Sequence, residues 1–231
     1  MIRGAPIGKR FLHCTFDNFD VEPPNREAYE ACKRVAREGK HGILLWGKNG
    51  VGKTHLLVAL MREYDQLHSH VPAKQDRTEP MIEVPAASEL IANAGEESGD
   101  IDKIPSLSQD EIEKSAQIEY WPMLDLVSVL RSDIAHGSQV TSTRCRECDL
   151  LVLDDFGSER TTDFVLEELE RIVDWRYRTL MPTAVATNLS DSATVIKKYG
   201  SRALSRWIGS CYDVVVGGED RRQSSERPHL D

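Results

Sequence analysis

Eight consecutive residues, Gly47-Lys48-Asn49-Gly50-Val51-Gly52-Lys53-Thr54, carry the spacing of a phosphate-binding loop: a glycine, four residues, then Gly-Lys-Thr. Glycines let the backbone wrap closely round an anion, and the N–H groups of such a loop, backed by a helix N-terminus, converge on a β-phosphate. Lys53 is expected to reach the β- and γ-phosphates, and Thr54 to offer its hydroxyl to Mg²⁺. Gly47, Asn49, Gly50, Val51 and Gly52 supply the loop itself. The apolar run 42–46 before the loop suits a strand buried on both faces. After it, Leu56, Leu60, Tyr64 and Leu67 keep a helical stripe.

A second segment, Leu150 to Leu153 followed by Asp154-Asp155-Phe156-Gly157, reads as an apolar strand ending in two adjacent carboxylates. Side chains diverge at a strand end, so Asp154 is expected to hold Mg²⁺ through water and Asp155 to face an attacking water as base or orienting group. Asn188 closes another apolar run, 183–187. Ligands bind at the carboxyl ends of parallel strands, which would put Asn188 between a γ-phosphate and Asp155; Asn-Leu-Ser-Asp is also a helix-start signal. Arg202 and Arg206, four apart, share one helix face. They read either as a solvated basic edge or as an arginine offered to the γ-phosphate of a neighbouring subunit, and spacing alone does not choose.

These residues need a scaffold of alternating strands and helices. Residues 1–24 lack periodicity and read as an irregular lead-in with Phe11, Phe16 and Phe19. Residues 25–38 follow as a helix stopped by Gly39. Beyond the phosphate loop and its helix, strands are predicted at 81–84, 150–153, 183–187 and 213–216. Helices are predicted at 87–94, 124–134, 161–177, 190–199 and 202–208. Residues 95–120 read as an acidic, flexible insertion, and 218–231 as a flexible tail. The expectation is an α/β, three-layer P-loop fold over residues 25–217, built on a five-stranded, mainly parallel sheet.

At 231 residues with 40% hydrophobic and 29% charged content, the chain has the size and composition of one globular domain, without an apolar run long enough to span a bilayer. No secretory leader is recognisable, and five irregularly spaced cysteines suit a reducing compartment, so a cytoplasmic address without membrane partners is expected. Cys145 and Cys148 form the one close pair and lack the second pair a zinc site wants. The net charge of −9 argues against coating duplex DNA, although a local basic channel is compatible with it. Between Glu89 and Glu119, nine acidic residues against two lysines give −7, so the rest of the chain is near neutral.

Taken together, these motifs resemble the DnaC/IstB-type AAA+ ATPases, helicase loaders and transposition helper proteins, over residues 11–222. The resemblance is carried by Thr15-Phe16-Asp17-Asn18-Phe19, Gly47 to His55 and Leu56, Asp149 to Gly157, Ala186-Thr187-Asn188, and Tyr199-Gly200-Ser201-Arg202 through Ser205-Arg206. It implies ATP and Mg²⁺ as ligands, with the first segment near the adenine and His55 at the end of the nucleotide-binding loop. It also implies Asp154 and Asp155 as the Walker B pair, Asn188 as sensor 1, and Arg206, or else Arg202, as the arginine finger. The helical lid is expected to be absent or vestigial. The implied activity is ATP hydrolysis in an oligomer that loads a replicative helicase on single-stranded DNA. A transposition helper serving a transposase, a non-hydrolysing ATP-dependent adaptor and, further off, a small-molecule kinase are the alternatives. A GTPase is disfavoured because no Asn-Lys-x-Asp segment is present.

Overall fold

The computed structural model describes residues 1–69, 116–160, 162–189 and 191–221, leaving aside the side chains of 202–204, 207 and 208. The strand expected at 81–84, the helix at 87–94 and most of the acidic stretch lie outside these residues. The described elements are β1 (Ile2–Gly4), α1 (Arg26–Glu38), β2 (Gly42–Trp46), α2 (Lys53–His68), β3 (Ile118–Pro122), α3 (Met123–Ala135), α4 (Val140–Glu147), β4 (Leu150–Phe156), α5 (Asp163–Arg178), β5 (Thr183–Thr187), α6 (Ser192–Tyr199), α7 (Ser201–Ser210) and β6 (Cys211–Val215).

Six strands form one parallel sheet in the order β1-β3-β4-β5-β2-β6. Its inner strands are buried on both faces because their alternate residues enter different cores. Ile43, Leu45, Leu150, Val152, Ala184 and Ala186 pack with α1 and α2. Leu44, Leu151, Leu153 and Val185 pack with α3, α5 and the residues around them. The result is a three-layer α/β fold, as expected, with six strands where five were predicted.

Two of the six described strands, β1 and β3, were not predicted, and of the five that were, 81–84 lies outside the described residues. Residues 2–4, read as part of an irregular lead-in, pair in parallel with β3, Ile2 opposite Ile118. A three-residue edge strand is too short to leave a periodicity in the sequence. Residues 118–120, read as the end of the acidic insertion, belong to β3, which pairs with β4. The charge that disguised β3 is internal to it: Glu119, 3% exposed, accepts two hydrogen bonds from Arg144 of α4, at 2.8 and 2.9 Å.

The strand order puts β5 between β2, which runs into the phosphate loop, and β4, which carries the two aspartates. Parallel strands bring their carboxyl ends to the same sheet edge, so residues 47–54, 154–155 and 188 converge there. Two further contacts tie that edge together. The Thr187 hydroxyl donates to Phe156 O at 2.7 Å, and the Phe156 ring stacks on Tyr199 of α6 with centroids 4.3 Å apart.

Candidate functional site

The phosphate loop turns on two glycines with φ of +81° (Gly50) and +103° (Gly52), a backbone region that disfavours any side chain. A Cβ at Gly52 would also come within 2.9 Å of the Phe19 ring. Lys53 is the first residue of α2, so the N-terminal N–H groups of that helix face the space the loop encloses. Val51 is buried and anchors the loop from beneath.

The Lys53 ammonium donates to Gly47 O (2.8 Å), Lys48 O (2.8 Å) and Asn188 Oδ1 (2.6 Å). Asn188 in turn donates through Nδ2 to Asp155 Oδ1 at 3.2 Å. One amide therefore links the loop lysine to a carboxylate at the end of a different strand. Asp155 itself has φ of +51°, and the β4–β5 register shifts between Leu153 and Phe156. That irregularity leaves Asp155 exposed toward the pocket while Asp154 is buried.

Asp154, 4% exposed, accepts from Tyr120 Oη at 3.2 Å, from the Asp155 backbone N–H at 2.9 Å and from the Thr54 hydroxyl. Burial raises its carboxyl above the usual carboxylate range and the neighbouring Asp155 adds to this, while the hydrogen bond from Thr54 opposes them. A buried carboxylate beside a threonine hydroxyl and a second carboxylate is a hard-oxygen environment that a divalent cation would relieve electrostatically.

These groups border a pocket of about 230 Å³. Asn49, Gly50, Gly52, Lys53, Thr54, His55, Asp155 and Asn188, all singled out in the sequence, line it. Gly47 contributes its carbonyl to Lys53 from outside that lining. His55 Nε2 donates to Thr15 O at 2.9 Å, and its ring meets Phe19 edge-on with centroids 5.1 Å apart. The Thr15–Phe19 segment is thereby fixed against the start of α2.

Phe11, noted in the sequence as one of three aromatics of the lead-in, lines the mouth of the pocket. Several other residues there went unnoticed: Arg10, His13 and Cys14 from the N-terminal segment, and Arg221 from beyond β6. Arg221 donates its backbone N–H to Gly50 O at 3.1 Å, and its guanidinium lies 4.7 Å from the Phe19 ring centroid. Residues 218–221, read as the start of a flexible tail, thus reach the site through Arg221, and the preceding Gly217 N–H donates to Pro24 O at 3.0 Å. The signal for Arg221 was an arginine a few residues past a buried strand, which becomes meaningful only once β6 is placed beside the phosphate-loop strand. Tyr120 was hidden with the rest of β3.

Arg202 is in the first turn of α7, and Arg206 of the same helix forms an ion pair with Asp174 of α5 at 2.5 Å. Arg206 is not among the described residues that line the pocket. Cys145 and Cys148 are buried free thiols at the α4–β4 junction, and among the described residues no group of three or more His, Cys, Asp or Glu side chains is gathered for a metal ion. No helix among them is long and apolar enough to cross a membrane.

Residues 11–75 match the family model of the bacterial DnaA ATPase domain. The chromosomal replication initiator DnaA of Cereibacter sphaeroides is 43% identical over 65 residues, covering 27% of this chain and 14% of that protein. The chain thus spans about one-seventh of the length of this curated relative. Among solved structures, a DnaC helicase loader superposes with a TM-score of 0.64 at 21% identity, covering 90% of this chain and 99% of that one. A replication initiator DnaA bound to AMPPCP and single-stranded DNA superposes with a TM-score of 0.61 at 19% identity, covering 90% and 51%. The fold is that of these proteins.

Proposed function

We propose that this chain, built on the AAA+ fold, binds Mg–ATP at the Lys53 pocket and hydrolyses it as a switch that drives a DNA-replication task of the helicase-loader kind. The observation that carries this is the hydrogen-bonded series Lys53–Asn188–Asp155, which joins a phosphate-binding cation to a water-orienting carboxylate across three strands. Its elements have separate roles. Lys53 and the N–H groups of the α2 N-terminus hold the β- and γ-phosphates, and the glycine backbone makes the close approach possible. Thr54 and Asp154 are the residues that would hold Mg²⁺, which when bound neutralises charge on the β,γ-oxygens.

Asp155 accepts a hydrogen bond from, and finally the proton of, a water held in line with the γ-phosphorus. Asn188 fixes Asp155 and the water relative to Lys53. The water oxygen bonds to phosphorus, the bond to the β,γ-bridging oxygen breaks, and ADP and inorganic phosphate result. Arg206 is read as serving the γ-phosphate of a neighbouring copy in a homo-oligomer, consistent with its position away from its own chain's pocket. The likeness to a helicase loader and to an initiator crystallised with single-stranded DNA supports a replicative helicase as client and single-stranded DNA as the second partner.

The test is to mix the purified chain with ATP, Mg²⁺ and the host replicative helicase and follow deposition of that helicase on single-stranded DNA, alongside phosphate release. Helicase capture that requires ATP and disappears with Lys53→Ala is the expected result. ATP binding without capture by any helicase would keep the ATPase reading and transfer the client to another DNA-processing enzyme, a transposase first. Failure of wild-type protein to bind ATP would overturn the whole reading.

A further inference from the structure

Arg206 is seated in a specific way. Its Nη2 donates to Asp174 Oδ1 at 2.5 Å, and the other carboxylate oxygen takes Arg178 Nε at 3.0 Å. Arg206 is 17% exposed and Arg178 64%, so Arg206 is the enclosed arginine of the two. The surrounding contacts fix the same register. One helical turn beyond the ion pair, the Tyr177 ring of α5 lies against Gly209 of α7, so residues 174 and 177 meet 206 and 209 in step. The Ser210 hydroxyl also donates back to Arg206 O at 2.8 Å, closing the last turn of α7 on the carbonyl of that arginine.

A guanidinium has five donors in a rigid fork, so a carboxylate at one edge sets its plane and leaves it able to meet an anion at another. Two arginines around one aspartate also carry a net positive charge, the sign that attracts a phosphate.

We infer that Asp174 is the positioning residue for Arg206: it seats the guanidinium on α5 so that it meets the γ-phosphate of a nucleotide held by a second copy of this chain. The inference rests on the trans role of Arg206 proposed above and adds what holds it in place. Asp174 itself does not touch the nucleotide. Without it, Arg206 and Arg178 repel each other and Arg206 regains its rotamers. A displacement of about 1 Å in such a group is enough to cost on the order of 100-fold in rate.

The experiment measures assembly-dependent phosphate release and fluorescent-ATP affinity for Asp174→Ala, Asp174→Asn, Asp174→Glu and Arg206→Ala, each with a melting curve. Asp174→Ala and Asp174→Asn are expected to lower kcat about tenfold with nucleotide Kd unchanged within about twofold, and Asp174→Glu to restore most of the rate. Subunit mixing separates positioning from a general packing defect. Asp174→Ala mixed with Lys53→Ala regains hydrolysis, because an intact arginine from the second subunit serves the intact pocket of the first. Asp174→Ala mixed with Arg206→Ala stays at the lowered rate, because neither subunit supplies a seated arginine. Wild-type rate in folded Asp174→Asn, with Arg206→Ala defective, overturns the positioning role alone. Wild-type rate in Arg206→Ala overturns the trans role and this inference together. Loss of rate in Asp174→Ala that no mixture rescues makes the residue structural and also overturns the inference.

Discussion

At the residue scale, Asn188 is the hinge of the site because it touches both Lys53 and Asp155. Asn188→Ala is expected to lower kcat for ATP hydrolysis by roughly 10- to 100-fold while nucleotide affinity changes less than about threefold, as a group that acts mainly on the transition state should. Phosphate-release kinetics beside equilibrium binding decide this; an equal loss in both would make it a ground-state contact. Arg221 belongs to the opposite case. It lines the pocket and braces Gly50 through its backbone, so Arg221→Ala is expected to weaken nucleotide binding about tenfold, about 1.4 kcal/mol, as removal of a charged contact does. His55 adds a pH dependence. Burial, aided by the charge of Arg221, lowers its pKa below 6.5, while its bond to Thr15 O opposes this. The folded protein then binds fewer protons than the unfolded chain in this window. Stability contributed by neutral His55 is present above about pH 6.5 and is lost as the pH falls from there to its lowered folded value. Denaturant melts of wild type and His55→Gln between pH 7 and pH 5 should show a shallower decline in the variant. The phosphate-loop residues and the aspartate pair were legible in the sequence because local spacing defines them. Arg221 and Tyr120 were not, since their meaning depends on which strand lies beside which.

At the scale of elements, the long apolar strands and the helix after the loop were legible from periodicity alone, β5 to the residue. α4 was not. Its sequence Val-Thr-Ser-Thr-Arg-Cys-Arg-Glu has mediocre helix formers and no apolar stripe, so tertiary contacts must hold it. Besides the Arg144–Glu119 pair, such contacts come from Arg176 of α5, 2% exposed. Its Nη1 donates to Cys145 O (3.0 Å) and Cys148 O (2.8 Å), Nη2 to Pro182 O (2.6 Å) and Nε to the Thr183 hydroxyl (2.9 Å). One guanidinium thus terminates α4 and joins it to the start of β5. Arg176→Lys keeps the charge but not the fork, so most of these hydrogen bonds to buried carbonyls are lost. A loss of about 3 kcal/mol or more is expected, read as a lower denaturation midpoint with unchanged slope. A change below about 1 kcal/mol would mean that α4 is held by apolar packing instead. The Cys145–Cys148 pair, which in sequence lacked the second pair a zinc site wants, belongs to this junction: both thiols are buried, and burial raises their pKa.

At the scale of the whole molecule, the pocket is closed by segments that are far apart in the chain. Residues 10–19 wall one side, residues 217–221 return beside the phosphate loop, and the two meet where Arg221 lies over Phe19 and its guanidinium donates to Asp20 O. Both segments lack regular structure over most of their length, and Cys14, Phe16 and Phe19 are the apolar side chains among them that are buried, so their opening should cost less than global unfolding. A nucleotide bound between them adds its binding free energy to that cost. At 100 times Kd the added stability is about 2.7 kcal/mol, which for a domain of this size corresponds to a rise in Tm of roughly 5–10 °C. Hydrogen exchange with and without Mg–ATP should therefore show added protection at 10–19 and 217–221 as well as in the phosphate loop, while the β2–β5 amides, already limited by global stability, change little. Lys53→Ala should lose both the thermal shift and the protection at the distant segments. Protection confined to residues 47–55 would mean that the chain ends only border the pocket, and that nucleotide binding is not transmitted to the surfaces through which a partner would sense it.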